Sequence, residues 1–328
     1  MDFNILFTSS GRRVSLIRHF KKTLSDLRIE GKIVTVDAKS TSPTSFVSDF
    51  HELVPKVSDD SYIHEILRIC KKYNIRLLVP LIDNELSLFS KFKPEFEIAG
   101  TTVLVSSEET NEICFDKENT YEYFARIGVD TPAVLDPERF EQDPAASFPI
   151  FLKPFDGSCS VGAMKINNAE ELAFFRNYIP NAMVQEFVSG DEYTLDILVD
   201  FEGKVRSVVP RLRLETRAGE VSKGITVKNH ELMEAAKYVV ESLPGAVGCI
   251  TVQCFLTADN KLKFIEINPR FGGGFPLAAA AGADFPRWII QMMLGQQIGQ
   301  QINDWEDGLV MLRYDDAIYI RKEMIAHA

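Results

Sequence analysis

Gln253, Glu266 and Asn268 sit on two runs of alternating apolar and polar residues, Thr251–Leu256 and Leu262–Asn268. The intervening Ala258-Asp259-Asn260-Lys261 has turn composition, so the two runs predict a β-hairpin. With the turn centred on Asp259-Asn260, Gln253 stands opposite Glu266, and Asn268 shares a strand face with Glu266. One carboxylate and two amide oxygens then meet at a point. Hard oxygen donors of low total charge suit Mg²⁺, with Mn²⁺ as an alternative, rather than zinc. A hairpin with no further task would carry apolar residues here, and Glu266 between Ile265 and Ile267 is costly if unpaired. Pro269 ends the strand and Arg270 follows, where a guanidinium could grip a transferring phosphate or an acyl-phosphate oxygen. Gly272-Gly273-Gly274 permits close backbone approach before a helix that begins near Pro276.

A second group of residues surrounds a glycine loop. The strands Pro149–Pro154 and Ala163–Ile166 flank a small-residue stretch containing Gly157, Ser158, Ser160 and Gly162. Such a loop can turn its N–H groups onto phosphate oxygens, and Lys153 could add an ammonium to the same phosphates. A plain hairpin with glycines at positive φ explains the loop about equally well, and no Gly-Lys-Ser/Thr follows that would make it a Walker loop. Further on, the Glu186 carbonyl and the Val188 amide suit the donor and acceptor edge of adenine, and Glu192 suits the two ribose hydroxyls. An edge strand with solvated acids is the plainer alternative. Arg12 and Arg13, and the cations Arg211, Arg213 and Lys223, could meet a substrate carboxylate or an acceptor; surface charge accounts for them nearly as well.

These side chains need a framework to hold them. Over the first hundred or so residues strand-like and helix-like runs alternate: Asn4–Thr8, Val14–Leu24, Ile33–Val36, Tyr62–Lys72, Arg76–Leu81. This predicts a parallel sheet with helices on its faces, and ligands at the carboxyl ends of its strands. Ser9–Arg13 and Asp83-Asn84-Glu85 fall at such ends. Only Gly11 of a Gly-x-Gly-x-x-Gly pattern is present, which argues against NAD. A helix through Phe124 follows Ser106-Ser107-Glu108-Glu109, and from Pro149 the pattern becomes α+β with antiparallel pairs. The expected units are an N-terminal α/β domain over 1–105, a small lid over 106–185 and a C-terminal metal-bearing subdomain over 186–328. A length of 328 residues fits two or three packed units. The net charge of −11 repels phosphate backbones, so nucleic acid and anionic membrane are poor partners. Five scattered cysteines without Cys-x-x-Cys spacing fit a reducing cytoplasm rather than disulfides or structural zinc. The start of the chain has no leader-like region, and no run is apolar for long enough to span a bilayer.

Taken in order, Asp116-Lys117, Phe151-Leu152-Lys153-Pro154 with its glycine loop, Gln185-Glu186-Phe187, Glu192, Gln253 and Glu266-Ile267-Asn268-Pro269-Arg270 resemble the ATP-grasp superfamily. The likeness is to one synthetase half of the carbamoyl phosphate synthase large subunit and to stand-alone carboxylate–amine ligases. The resemblance implies ATP and Mg²⁺ as cofactors, with ATP gripped between the lid and the C-terminal subdomain. It places Lys117 and Lys153 on phosphates, Glu186, Phe187 and Val188 on adenine, and Glu192 on the ribose. Glu266, Asn268 and Gln253 would hold the metal, and Arg270 would stabilise an acyl phosphate. The implied partners are a small carboxylate and an amine, with a homodimer left open. A chain of this length has room for one half only, and one half cannot phosphorylate both bicarbonate and carbamate in a two-site scheme. The expected function is thus an ATP-dependent carboxylate–amine ligase. The alternatives are a bicarbonate- or carbamate-phosphorylating enzyme and an ATP-binding protein without turnover.

Overall fold

The computed structural model describes residues 2–143, 145–155, 162–217, 219–299 and 302–325. Strand and helix alternate first: β1 (Asn4–Thr8), α1 (Val14–Asp26), β2 (Ile33–Asp37), β3 (Phe50–Leu53), α2 (Tyr62–Lys72), β4 (Ile75–Pro80), α3 (Asp83–Lys91), α4 (Lys93–Ile98) and β5 (Thr102–Val103). The five strands form a wholly parallel sheet in the order β3-β2-β1-β4-β5. Both faces of β1 are covered, so Ile5 and Phe7 enter one core while Leu6 enters another with Tyr62, Ile66 and Phe89. The strand order reverses between β1 and β4, which sets the loops after these strands side by side. Glu85 fastens them together. Fully buried, its carboxylate accepts from Thr8 Oγ1 and Ser9 Oγ at 2.9 Å each, Tyr62 OH at 2.8 Å and Leu81 N at 2.8 Å. This strand-end acid is therefore an anchor for the loops, with both oxygens engaged.

The single helix expected up to Phe124 is two helices, α5 (Glu108–Phe115) and α6 (Lys117–Arg126). Asp116 interrupts them in extended conformation (φ −97°, ψ 128°) and caps α6, accepting from Glu118 N at 2.7 Å and Asn119 N at 3.2 Å. The orphan donors of a helix start account for the break. Cys114, Tyr123 and Phe124 of this pair join the core of the large C-terminal sheet. They do not join the core of the small sheet that follows them in sequence.

That small sheet comprises β6 (Val134–Leu135), β7 (Ile150–Pro154), β8 (Met164–Ile166) and β9 (Ala182–Glu186), with helices α7 (Pro137–Gln142) and α8 (Ala169–Tyr178). Its order is β6-β9-β7-β8, antiparallel throughout, over a compact core of Ile150, Leu152, Ile166, Leu172, Ile179 and Val184. The large sheet contains β10 (Gly190–Val199), β11 (Val205–Arg217), β12 (Glu220–Thr226), β13 (Gly248–Thr257), β14 (Leu262–Asn268) and β15 (Val310–Leu312). It is also antiparallel, in the order β14-β13-β10-β11-β12-β15, and is accompanied by α9 (His230–Glu241), α10 (Phe275–Ala280) and α11 (Phe285–Met293).

The β13–β14 hairpin has Gln253 opposite Glu266 and Thr251 opposite Asn268. It reaches that register differently from the sequence expectation. Near the turn the pairs are Leu256 with Leu262 and Cys254 with Phe264, which centres the turn on Asp259. An extra residue, Ile265, then bulges from β14 and advances the register by one. Without the bulge, Glu266 would face away from Gln253, because successive strand residues alternate faces.

Candidate active site

A cleft of about 390 Å³ opens between the small and large sheets and extends to the N-terminal domain. The small sheet contributes Phe151, Lys153 and Gln185; the large sheet contributes Glu192, Arg211, Arg213, Gln253, Glu266 and Asn268; Arg13 reaches in from the start of α1. The connection between the two sheets supplies Phe187 and Val188, next to Glu186 at the end of β9. An open apolar wall at a junction between units, with a few convergent polar groups, is the usual form of a small-molecule site.

At the hairpin, Gln253 Nε2 donates to Glu266 Oε2 at 2.7 Å, while Gln253 Oε1 accepts from Arg213 Nη1 at 2.8 Å. The expected third metal ligand thus has both ends of its amide engaged and acts to orient Glu266. Asn268 Oδ1 accepts from Arg270 Nη2 at 3.2 Å, and the same nitrogen is 2.7 Å from Asp83 Oδ2 at the start of α3. Arg270 is thereby aimed by one residue of its own hairpin and one of the N-terminal domain. Among the described residues no group of three or more His, Cys, Asp or Glu side chains could hold a metal. A site with Glu266 and Asn268 as its protein donors does not need one. Its hard oxygens fit Mg²⁺, which ordinarily completes its shell with phosphate oxygens and water.

Lys153 faces this group from β7. Burial pushes its ammonium down to about 8; the Glu266 carboxylate opposes the shift and Lys117 adds to it. Lys117, the first residue of α6, donates from Nζ to the Phe155 carbonyl at 3.2 Å and so sits at the entrance of the glycine loop. Of that loop, Gly162 is described, at φ +73°, a backbone state that suits glycine. Gly157, Ser158 and Ser160 lie outside the described residues. Glu186 Oε2 pairs with Lys263 Nζ at 2.9 Å, and residues 186–188 line the cleft. The Phe187 ring lies 4.6 Å from Lys165 Nζ. Glu192 pairs with Arg213 Nη1. Burial raises its carboxyl above the ordinary range, and Arg213 opposes that shift.

The remaining cations separate sharply. Arg12 is 81 % exposed and does not line the cleft; its neighbour Arg13 is 22 % exposed and does. Lys223 pairs with Glu215 at 2.6 Å on open surface, away from the cleft. Its strand, β12, is paired on both sides, by β11 and β15, but this side chain is 46 % exposed and turns away from the cleft. Arg211 is the opposite case: it is 1 % exposed and holds buried Asp196 through Nε at 2.6 Å and Nη2 at 3.2 Å. Burial pushes the Asp196 carboxyl up, and Arg211 opposes the shift. Asp196 and Glu220 were not among the site residues expected from sequence, and Asp83 entered only as part of a ligand-side strand end. The signal for Asp196 was available, a carboxylate between Leu195 and Ile197 in an apolar strand.

Comparison with known proteins agrees with this layout. Residues 5–104 match the family "PylC-like, N-terminal domain", and residues 178–316 match "ATP-grasp in the biosynthetic pathway with Ter operon". The chain is 27 % identical over 228 residues to the vancomycin/teicoplanin A-type resistance protein VanA of Enterococcus faecium, covering 61 % of this chain and 66 % of that protein. It is 25 % identical over 266 residues to the 3-methyl-D-ornithine–L-lysine ligase of Methanosarcina acetivorans, covering 80 % and 66 %. The matches therefore span slightly less than two thirds of these relatives' own length. Among solved structures, the biotin carboxylase domain of the Hydrogenobacter thermophilus 2-oxoglutarate carboxylase superposes with a TM-score of 0.74 at 18 % identity, over 94 % of this chain and 74 % of that one. The ADP complex of the Staphylococcus aureus N5-carboxyaminoimidazole synthetase superposes with a TM-score of 0.71 at 17 % identity, over 92 % and 80 %. Two antiparallel sheets gripping a cleft behind a parallel N-terminal domain, the ATP-grasp family match over residues 178–316 and these superpositions together show that the chain has the ATP-grasp fold.

Proposed function

We propose that the chain is an ATP-dependent carboxylate–amine ligase that works through an acyl phosphate. The observation that carries this reading is the convergence of Lys153, Glu266, Asn268 and Arg270 on one cleft beside the 186–188 connection. Phosphoryl transfer asks a protein chiefly for positioning and charge neutralisation, and these residues supply both. Residues 186–188 hold the adenine and Glu192 the ribose, while Lys117 and Lys153 hold phosphate oxygens. Glu266 and Asn268 would hold Mg²⁺, which would neutralise polyphosphate charge.

A carboxylate oxygen of the acid attacks the γ-phosphorus and ADP leaves. The amine then attacks the acyl carbon, inorganic phosphate departs, and the amine loses a proton to give an amide. Arg270, steadied by Asp83 and Asn268, faces the negative charge that develops on the acyl phosphate. The cleft between the sheets keeps water from that intermediate.

The test is a screen of paired carboxylic acids and amines with Mg-ATP, reading phosphate and ADP release. At least one pair should turn over. Glu266→Ala should reduce turnover by roughly 10²-fold or more, the scale on which removing one charge-stabilising group acts, while its far-ultraviolet dichroism stays native. Full activity in Glu266→Ala would overturn the site. ADP release that depends on bicarbonate alone would instead favour a bicarbonate-phosphorylating enzyme.

A further inference from the structure

Beyond Arg270 the cleft continues to Arg13, Arg211 and Glu220, which the reaction above leaves unused. Its floor is Gly272-Gly273-Gly274, where side chains are excluded by what presses on the backbone. A Cβ on Gly273 would lie 2.6 Å from Arg13 Nη1 and 2.9 Å from the Glu220 carboxyl, and one on Gly274 would overlap Arg211 Nη1. Three guanidinium groups share Glu220: Arg13 at 3.6 Å inside the cleft, and Arg12 at 3.7 Å and Arg313 at 3.4 Å outside its lining. One carboxylate cannot saturate their donors, and it is too committed to receive a substrate ammonium. Burial holds the Arg13 guanidinium below its ordinary value; Glu220 opposes the shift, and Arg270, Arg313 and Arg12 add to it. Arg211 contributes an independent sign. Its Nε and Nη2 are bonded to Asp196, yet its Nη1 is buried with no hydrogen-bond partner among the described residues. A buried guanidinium N–H without an acceptor is costly, and in a cleft-lining residue an anionic ligand removes that cost.

We infer that the acid substrate carries a second anionic group, besides the carboxylate that is phosphorylated, and that Arg13 together with Arg211 Nη1 binds it. The inference rests on the ligase reading for the identity of the first carboxylate. Arg270 lies at the Asn268 end of the cleft, whereas Arg13 and Arg211 press on Gly273 and Gly274 further along the same turn. One short molecule can therefore meet both. Carboxylate and phosphate groups share the required chemistry, and Arg13 from the N-terminal domain acts as the residue that selects for charge.

The test is calorimetric titration into the full chain loaded with Mg-ADP, which needs no turnover. Pentanoate is compared with glutarate and 4-phosphonobutanoate, and butyrate and hexanoate with succinate and adipate; L-norvaline is compared with L-glutamate. At least one compound with two anionic groups should bind roughly tenfold or more tightly than its counterpart with one, the size expected of a charge-assisted hydrogen bond. Arg13→Gln should abolish that preference, Arg13→Lys should retain part of it, and both variants should melt with wild type. The better of glutarate and 4-phosphonobutanoate identifies the group. Equal binding within every pair, or a preference that survives Arg13→Gln, overturns the inference. Failure of the ligase reading shows separately, as that preference without phosphate release from any acid–amine pair.

Discussion

At Lys153 burial acts against the phosphate-binding role proposed for it. The cleft strips water from the ammonium and pushes it down to about 8 from an ordinary 10.5, with Glu266 limiting the fall. Between those two values the unfolded chain binds more protons than the folded one. The contribution of Lys153 to stability therefore rises with pH across that window, and the cost of burying its charge is fully present below it. If Lys153 holds phosphate as proposed, nucleotide binding responds with the opposite sign, since polyphosphate requires the charged form. Calorimetric titration should show Mg-ADP affinity weakening as pH rises through about 8, with proton uptake on binding. Lys153→Met should remove this inflection; an unchanged profile would show that Lys153 does not meet the phosphates. The same residue shows how far sequence reaches. Lysine at a strand end beside a glycine loop was legible, but the shift depends on Glu266, 113 positions away, and on how deeply the strand is covered.

Among the elements, the β13–β14 hairpin and the glycine turn after it set the geometry. Alternation of apolar and polar residues made the hairpin readable, and Gln253 does face Glu266. The Ile265 bulge that aligns them left no local mark, because a bulge arises from competition between turn register and the packing of both strand faces. The turn is equally dependent on its surroundings. Gly274 borders Arg211, whose guanidinium is fixed by Asp196 and cannot retreat, whereas Gly273 meets the freer ends of Arg13 and Glu220. Gly274→Ala should therefore destabilise the protein by about 1–3 kcal/mol, as overpacking of a tight interior does, and Gly273→Ala by less. Urea denaturation of the two variants checks the order, and equal midpoints would refute it.

On the scale of the whole molecule, a continuous core joins the N-terminal sheet to the large sheet. Phe7, Phe20, Phe271 and Phe275 form a chain of edge-to-face contacts across the boundary, at 4.9, 6.1 and 4.9 Å between successive ring centroids. Asp83–Arg270 and His19–Asp284 bridge the same boundary at 2.7 and 2.9 Å. The small sheet keeps its own modest core, so a ligand held between the sheets adds contacts that neither core supplies. Mg-ADP at a hundred times its Kd should add about 2.7 kcal/mol, or about 4 °C in melting temperature for a chain of this size. Chelating the metal with EDTA should remove most of that shift. A nucleotide shift indifferent to EDTA would mean that Glu266 and Asn268 do not hold a cation that carries the phosphates.

By itself the sequence determined the elements and their order: the parallel N-terminal unit, the glycine-loop strands, the hairpin with its Glu-x-Asn pair and the arginine after it. Those features are local, since strand and helix periods, turn residues and the chemistry of a side chain are all carried by neighbouring residues. Tertiary structure alone decided which cations matter. Arg12 and Arg13 are adjacent and identical in type, yet one points to solvent and the other into the cleft; Lys223 and Arg211 read alike as excess charge, yet one is surface and the other buried on Asp196. Only the packing of distant segments fixes which side of an element is covered, and through that the solvation and partner of each charge.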